Sequence, residues 1–202
     1  MSIPAELSKN REDLKFNSYA ATGCIATKFL NYSSGSNDYC IKVFDKYFDF
    51  FMKFSNEGDQ LVLANSYNVF INNETLLDNY IKEIEDLNIY LQSKKRKLIL
   101  VSPIPVIKSN PTICSNWYAK YNDKCDIKEI LDKKKNTNLK KINQKLMSLK
   151  GKNINFVNIY SLLENKLEYG DIENYALFYN KSHLSKKGAK LFTKDFEKIF
   201  SE

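Results

Sequence analysis

The sequence predicts an α/β fold, a three-layer α/β/α sandwich around a parallel sheet, organised as one domain over 1–202. Three observations point to it. Short, almost wholly apolar runs recur along the chain: QLVLA at 60–64, KLILVS at 97–102 and NFVNI at 155–159. Runs this short and this apolar suit strands buried on both faces of a parallel sheet. Longer segments with apolar residues three and four apart separate them, which implies β-α-β crossovers. There is no internal repeat and no interdomain linker, and 202 residues suffice for one α/β domain with a core.

Each element follows from its local pattern. Residues 14–18 are a first candidate strand. At 38–54, Ile41, Phe44, Phe48, Phe51 and Met52 form an apolar helical stripe. The run at 60–64 is bounded by Gly58-Asp59 before it and Asn65-Ser66 after it. Glu74–Ser93 repeats the helical pattern with Leu77, Ile81, Ile84, Leu87 and Leu91. The run at 97–102 ends at Pro103, which opens the one long irregular excursion, 103–126, with Pro105, Pro111 and two cysteines. Long loops after strand ends in α/β proteins often shape the ligand site; a structural flap is the competing reading. A lysine-rich helix is expected at 127–149. The last helix is expected at 185–200, with Ser185 as its N-cap and Leu191, Phe192, Phe196 and Ile199 on one side.

Composition narrows the class. Hydrophobic residues make up 43% and charged residues 27%, the balance of a folded chain and not of a disordered one. The net charge of +7 raises the question of a nucleic-acid or anionic-surface partner. Lysines are interleaved with Asp and Glu, however, and the compact runs Lys94-Lys95-Arg96-Lys97 and Lys133-Lys134-Lys135 border helix ends. Solvated helix termini explain them better, so no nucleic-acid partner is expected. No stretch approaches the roughly 20 apolar residues of a membrane helix. No signal peptide is visible either, so export would depend on an upstream membrane portion.

Four cysteines, Cys24, Cys40, Cys114 and Cys125, allow three connectivities. Local pairing, Cys24 with Cys40 and Cys114 with Cys125, would close two short loops in an oxidising compartment; four free buried thiols are the alternative. Neither CxxC nor Cys/His clustering occurs, so no metal and no cofactor is expected. The single histidine, His183, lies in FYNKSHLSKKGAKLF, a polar turn before an amphipathic helix. It is either the catalytic base or there is no ordinary triad.

The run Asn180-Lys181-Ser182-His183-Leu184-Ser185, followed by Gly188-Ala189 and Leu191, resembles the D-x-x-H-L-S-x-x-G-A block of SGNH domains. The pattern is similar to the SGNH domains attached to ten-helix membrane O-acyltransferases that modify cell-surface glycans. Thr22-Gly23-Cys24 resembles that family's S-G-C segment, with Cys40 as the later partner. The run from Asp59 to Asn65 resembles its third strand and polar end, and Pro103-Ile104-Pro105 through Cys114 and Cys125 its P-x-P segment and second cysteine pair. The resemblance implies an SGNH/flavodoxin-like fold in a periplasmic or otherwise extracytoplasmic domain, tethered through an upstream membrane acyltransferase portion. Its substrate would be an acyl ester of a glycan.

In that family a serine of a G-D-S-H block attacks the ester, a histidine takes its proton, and an acid three residues earlier orients the imidazole. The resemblance makes His183 the base and Gly23 and Asn65 oxyanion donors; a turn and a strand-end cap are the plainer readings of those two. Asn180 stands where the family has Asp, carries no charge to stabilise an imidazolium, and leaves the ring open to the wrong tautomer. No G-D-S-H block occurs in the 202 residues. The opening Met1-Ser2-Ile3-Pro4 resembles the helix after that block, which makes Ser2 a helix residue and places the nucleophile and first strand before Met1. The expectation is therefore an incomplete or inactive acyltransferase or esterase domain, with a catalytically degenerate glycan-binding domain as the alternative.

Overall fold

The apolar runs do become strands. In the computed structural model, which describes residues 15, 17, 25, 37–125, 130–150, 154–167 and 172–200, three short strands pair in parallel. They are β1 (Gln60–Leu63), β2 (Lys97–Val101) and β3 (Ile154–Val157), in the order β1-β2-β3. Leu61 is opposite Leu98, and Leu98 opposite Ile154. On the central strand Leu98, Ile99 and Leu100 are all fully buried. Because side chains alternate across a strand, burial of consecutive residues means that both faces are covered. The α/β class with a parallel sheet is the one the sequence predicts. Residues Tyr19–Pro103 and Lys141–Val157 form one compact unit around this sheet; Met1–Ser18, Ile104–Lys140 and Asn158–Glu202 form a second.

In the sheet unit, α1 (Asn37–Phe54) and α2 (Glu74–Ser93) follow their apolar stripes. Phe48 of α1 is buried, stacked on Phe44 and tilted against Tyr90 of α2. Asn73 caps α2 by accepting from the Leu76 N–H at 2.9 Å. The basic run after α2 is spent on the turn into β2. Lys95 takes the left-handed conformation and pairs with Glu57, while Arg96 donates to the Ser55 carbonyl and hydroxyl at the end of α1. Cys40 is half-buried in α1 and disulfide-bonded. Cys24, the expected partner, lies outside the described residues, as do Ser2, Gly23 and most of the candidate strand at 14–18.

The other unit departs further from the expected boundaries. The excursion carries a one-turn helix, α3 (Pro111–Cys114), capped by Asn110 and closed by the Cys114–Cys125 disulfide. The lysine-rich helix α4 (Lys133–Met147) starts six residues later than 127. Ile130 and Leu131 are buried instead, and Leu131 bridges Ile107 in antiparallel fashion. Asp132 then caps the helix, its carboxylate accepting from the Lys135 N–H. The expected strand at 155–159 stops at Val157 because the Asn158 side chain accepts from the Ser161 N–H and opens an unforeseen helix, α5 (Ile159–Leu167). After a 3₁₀ segment (Ile172–Leu177), β4 (Phe178–Asn180) and β5 (His183–Leu184) form a short antiparallel hairpin.

The expected helix at 185–200 is two helices, α6 (Lys186–Lys190) and α7 (Thr193–Phe200). Between them Leu191 and Phe192 donate to carbonyls three residues back, and Phe192 turns inward to a buried position. No helix among the described residues is long and apolar enough to cross a membrane.

Candidate active site

His183 and Asn180 face each other across the β4–β5 hairpin. His183 Nδ1 lies 2.9 Å from Asn180 Oδ1. The same Oδ1 accepts from the backbone N–H of Ser182 at 3.0 Å and of His183 at 2.9 Å. An asparagine amide has two nearly isosteric ends, and its surroundings decide which one faces a neighbour. Two backbone donors leave no choice: only the oxygen accepts, so the oxygen is turned to the ring. A ring nitrogen facing an acceptor must carry the hydrogen. Nδ1 is then the protonated nitrogen of the neutral imidazole, and Nε2 keeps its lone pair. That is the tautomer a general base needs, opposite to the risk raised by the missing carboxylate. His183 itself is exposed.

The rest of the block explains how the ring is held. Ser185 accepts from the Gly188 N–H at 3.1 Å, donates its hydroxyl hydrogen to the Ala176 carbonyl at 2.6 Å, and donates its own N–H to the Leu177 carbonyl at 2.8 Å. One residue thus caps α6 and ties it to the segment leading into β4. Gly188 is required by close approach: a Cβ there would fall 2.0 Å from the Leu177 carbonyl oxygen. Ala189, the next small residue, is buried. The H-L-S-x-x-G-A spacing therefore encodes a helix start pressed against the strand that precedes the histidine.

The proline-rich excursion supports the hairpin from another side. Ile107 donates its N–H to the Lys181 carbonyl in the hairpin turn at 3.0 Å, and α3 packs against β4. The excursion is held in turn by buried Asn136 of α4. Its Oδ1 accepts from the Val106 N–H at 2.9 Å and its Nδ2 donates to the Val106 carbonyl at 2.7 Å. Sequence reasoning missed Asn136. The available signal was a polar residue three before Leu139, on the stripe that buries Leu139, Ile142 and Leu146.

Asn65 belongs to the sheet unit, two residues past the carboxyl end of β1, and is half-buried. Its Nδ2 donates to the Tyr80 hydroxyl at 2.5 Å. The Tyr80 ring meets Tyr67 edge-on with centroids 6.3 Å apart, and the Tyr67 hydroxyl donates to the Val101 carbonyl at 2.9 Å. Burial, the largest cause in each case, pushes both phenols well above their ordinary range, so both hydroxyls keep their hydrogens. The polar use of these tyrosines left no trace in the sequence, where they read as core aromatics. Among the described residues no cluster of three or more His, Cys, Asp or Glu side chains is placed to hold a metal ion.

Comparison with known proteins agrees with the motif. No curated protein matches the chain. The family described as the SGNH domain (fused to AT3 domains) matches residues 5–198, nearly the whole length. The chain belongs to this SGNH family.

Proposed function

We propose that this domain acts on acyl esters of cell-surface glycans, outside the cytoplasm and beside a membrane acyltransferase portion, with His183 as general base and Asn180 as the group that orients it. The observation that carries the reading is the 2.9 Å contact between His183 Nδ1 and an Asn180 oxygen pinned by two backbone donors. In this reading the serine of the family's G-D-S-H block attacks the acyl carbonyl carbon and gives its hydrogen to Nε2. The tetrahedral oxyanion is held by hydrogen-bond donors, for which the family pattern assigns Gly23 and Asn65. Collapse releases the first alcohol, protonated from Nε2-H. A sugar hydroxyl or water, deprotonated by the same nitrogen, then removes the acyl group from the serine.

Exposed aromatics support a sugar as partner. Trp117 and Tyr121 lie within the loop closed by Cys114 and Cys125, and Tyr179 lies on β4 next to Asn180; all three are more than two-thirds exposed. Flat apolar faces left in water suit the faces of pyranose rings.

The test is acyl-ester turnover by the protein that carries this domain, compared with its His183→Ala variant. Loss of a catalytic base from a Ser-His pair lowers kcat by about 10⁴-fold or more; equal turnover in both proteins overturns the reading. A second reading, a glycan-binding domain without turnover, is favoured by Asn180 in place of the family's acid, because an uncharged partner gives an imidazolium less stabilisation. Sugar binding by a protein that turns over no ester, with or without His183, selects it.

A further inference from the structure

We propose that the outer face of α1 is a membrane-surface contact: a stripe of lysines and aromatic rings that lays the domain against the anionic headgroups of a lipid bilayer. The proposal uses the membrane neighbourhood assigned under the proposed function and none of the chemistry of His183.

The argument begins with the two sides of one helix. Ile41, Phe44, Phe48, Phe51 and Met52 are buried or half-buried, as an inward face should be. Over residues 39–54 the exposed positions are Tyr39, Lys42, Lys46, Asp49, Phe50, Lys53 and Phe54. All but Asp49 are lysine or aromatic. They succeed one another three and four residues apart, so they share one side of the helix, with Asp49 at its edge. From Tyr39 to Phe54 the stripe runs about 22 Å along the axis.

A solvated helix face is normally polar, yet Tyr39 is 59% and Phe54 61% exposed. Single exposed rings are common. Here Phe50 packs 4.5 Å from Phe54, and Lys53 holds its ammonium 5.3 Å from the Phe54 ring, which makes an apolar ridge edged by charge. The lysines differ from those elsewhere. Lys95, Lys135, Lys140, Lys145 and Lys187 each pair with a carboxylate. Lys42, Lys46 and Lys53 meet no carboxylate among the described residues. Asp49 balances one of them at most.

A bilayer surface complements both features, with phosphates for the ammonium groups and the acyl boundary for the rings. A nucleic-acid strand would supply phosphates, but its bases stack on open ring faces. Phe50 and Phe54 are tilted onto each other by 44°, and Lys53 lies over Phe54. The geometry favours lipid.

The experiment is cosedimentation of this chain with two kinds of vesicle: phosphatidylcholine alone, and equal parts phosphatidylcholine and phosphatidylglycerol. Binding is expected to the anionic vesicles only and should fall steeply with added salt. Lys42→Gln/Lys46→Gln/Lys53→Gln should weaken it by about 100-fold, which is about fivefold for each charge. Tyr39→Ser/Phe54→Ser should weaken it by about 10-fold. Lys133→Gln/Lys134→Gln/Lys135→Gln removes three charges from α4 instead and should change binding by less than about 2-fold. Equal loss in the two lysine variants reduces the effect to net charge and overturns the proposal, as does unchanged binding by the aromatic variant. A wild type that does not bind anionic vesicles overturns it too. So does one that uses these residues to hold single-stranded DNA in preference to lipid, or to dimerise. Should a variant fail to fold, the wild type still decides. A spin-labelled lipid should broaden the amides of Lys46, Phe50 and Lys53 more than those of α4, and any other ordering overturns the contact. His183→Ala should bind vesicles as the wild type does, so failure of the catalytic reading leaves this one standing.

Discussion

Strand β2 and the β4–β5 hairpin are built on opposite principles. β2 is five residues, of which Leu98, Ile99, Leu100 and Val101 are buried; it is placed by apolar burial on both faces and by ladders to two neighbours. The hairpin is five strand residues, four of them paired, with only Phe178 buried. It is placed by single polar contacts to backbone: Asn180 on the turn, Ile107 on Lys181, Ser185 on Ala176 and Leu177. Apolar burial is non-directional and tolerates small shifts, whereas a hydrogen bond specifies an atom and an angle. The core strand therefore needs only to be inside. The histidine needs to point somewhere, and the chain spends its directional contacts there.

The largest effect expected from breaking this contrast is in the sheet. Leu100→Ala removes a fully buried side chain between two strands and should destabilise the protein by about 3–4 kcal/mol through lost transfer energy and a residual cavity. The midpoint of urea unfolding measures it. A change below about 1 kcal/mol would mean that the strand is not close-packed.

Asn136→Ala comes next and attacks the polar scaffold behind the hairpin. It leaves the buried Val106 N–H without its acceptor, while the Val106 carbonyl keeps the Asp132 N–H, and should cost about 1–3 kcal/mol. Pro105 has no N–H of its own, so Val106 is the first residue after it that must find an acceptor. Amide exchange checks the mechanism: the Val106 N–H should lose protection more than the amides of β2. Equal loss at both would indicate general destabilisation and not the loss of a specific clamp.

This division also explains what was legible. The strands could be read because their signal is composition over four or five residues, and the helices α1 and α2 because apolar residues recur at three and four. Boundaries failed where one polar side chain decided them: Asn158 ended a strand and began α5, and Asp132 delayed α4 past two apolar residues that pair with the excursion. The block around His183 was legible as a motif, but its reasons were not. Nothing in the letters G or S discloses that a Cβ at residue 188 would fall 2.0 Å from a carbonyl oxygen or that Ser185 makes three contacts. Asn180 was read from its chemistry alone, as a weakened aspartate. Its neighbours change the meaning, because two backbone donors select the amide end that a carboxylate would have presented.

The smallest expected effect on stability falls on that residue and carries the most information. Asn180→Ala removes an exposed acceptor from two backbone N–H groups that water can then serve, so the cost should be about 1 kcal/mol or less. Its consequence for the ring is larger. Without Oδ1 the hydrogen is no longer fixed to Nδ1, and the imidazole divides between its two tautomers. Nitrogen NMR of the single histidine reads this directly: the wild type should show the Nδ1-protonated form, and the variant a mixture. Asn180→Asp should keep the wild-type tautomer, since a carboxylate accepts the same bond. If the wild type shows a mixture, the amide does not orient the ring. The hairpin would then place His183 without preparing it for proton transfer, and the binding reading would gain accordingly.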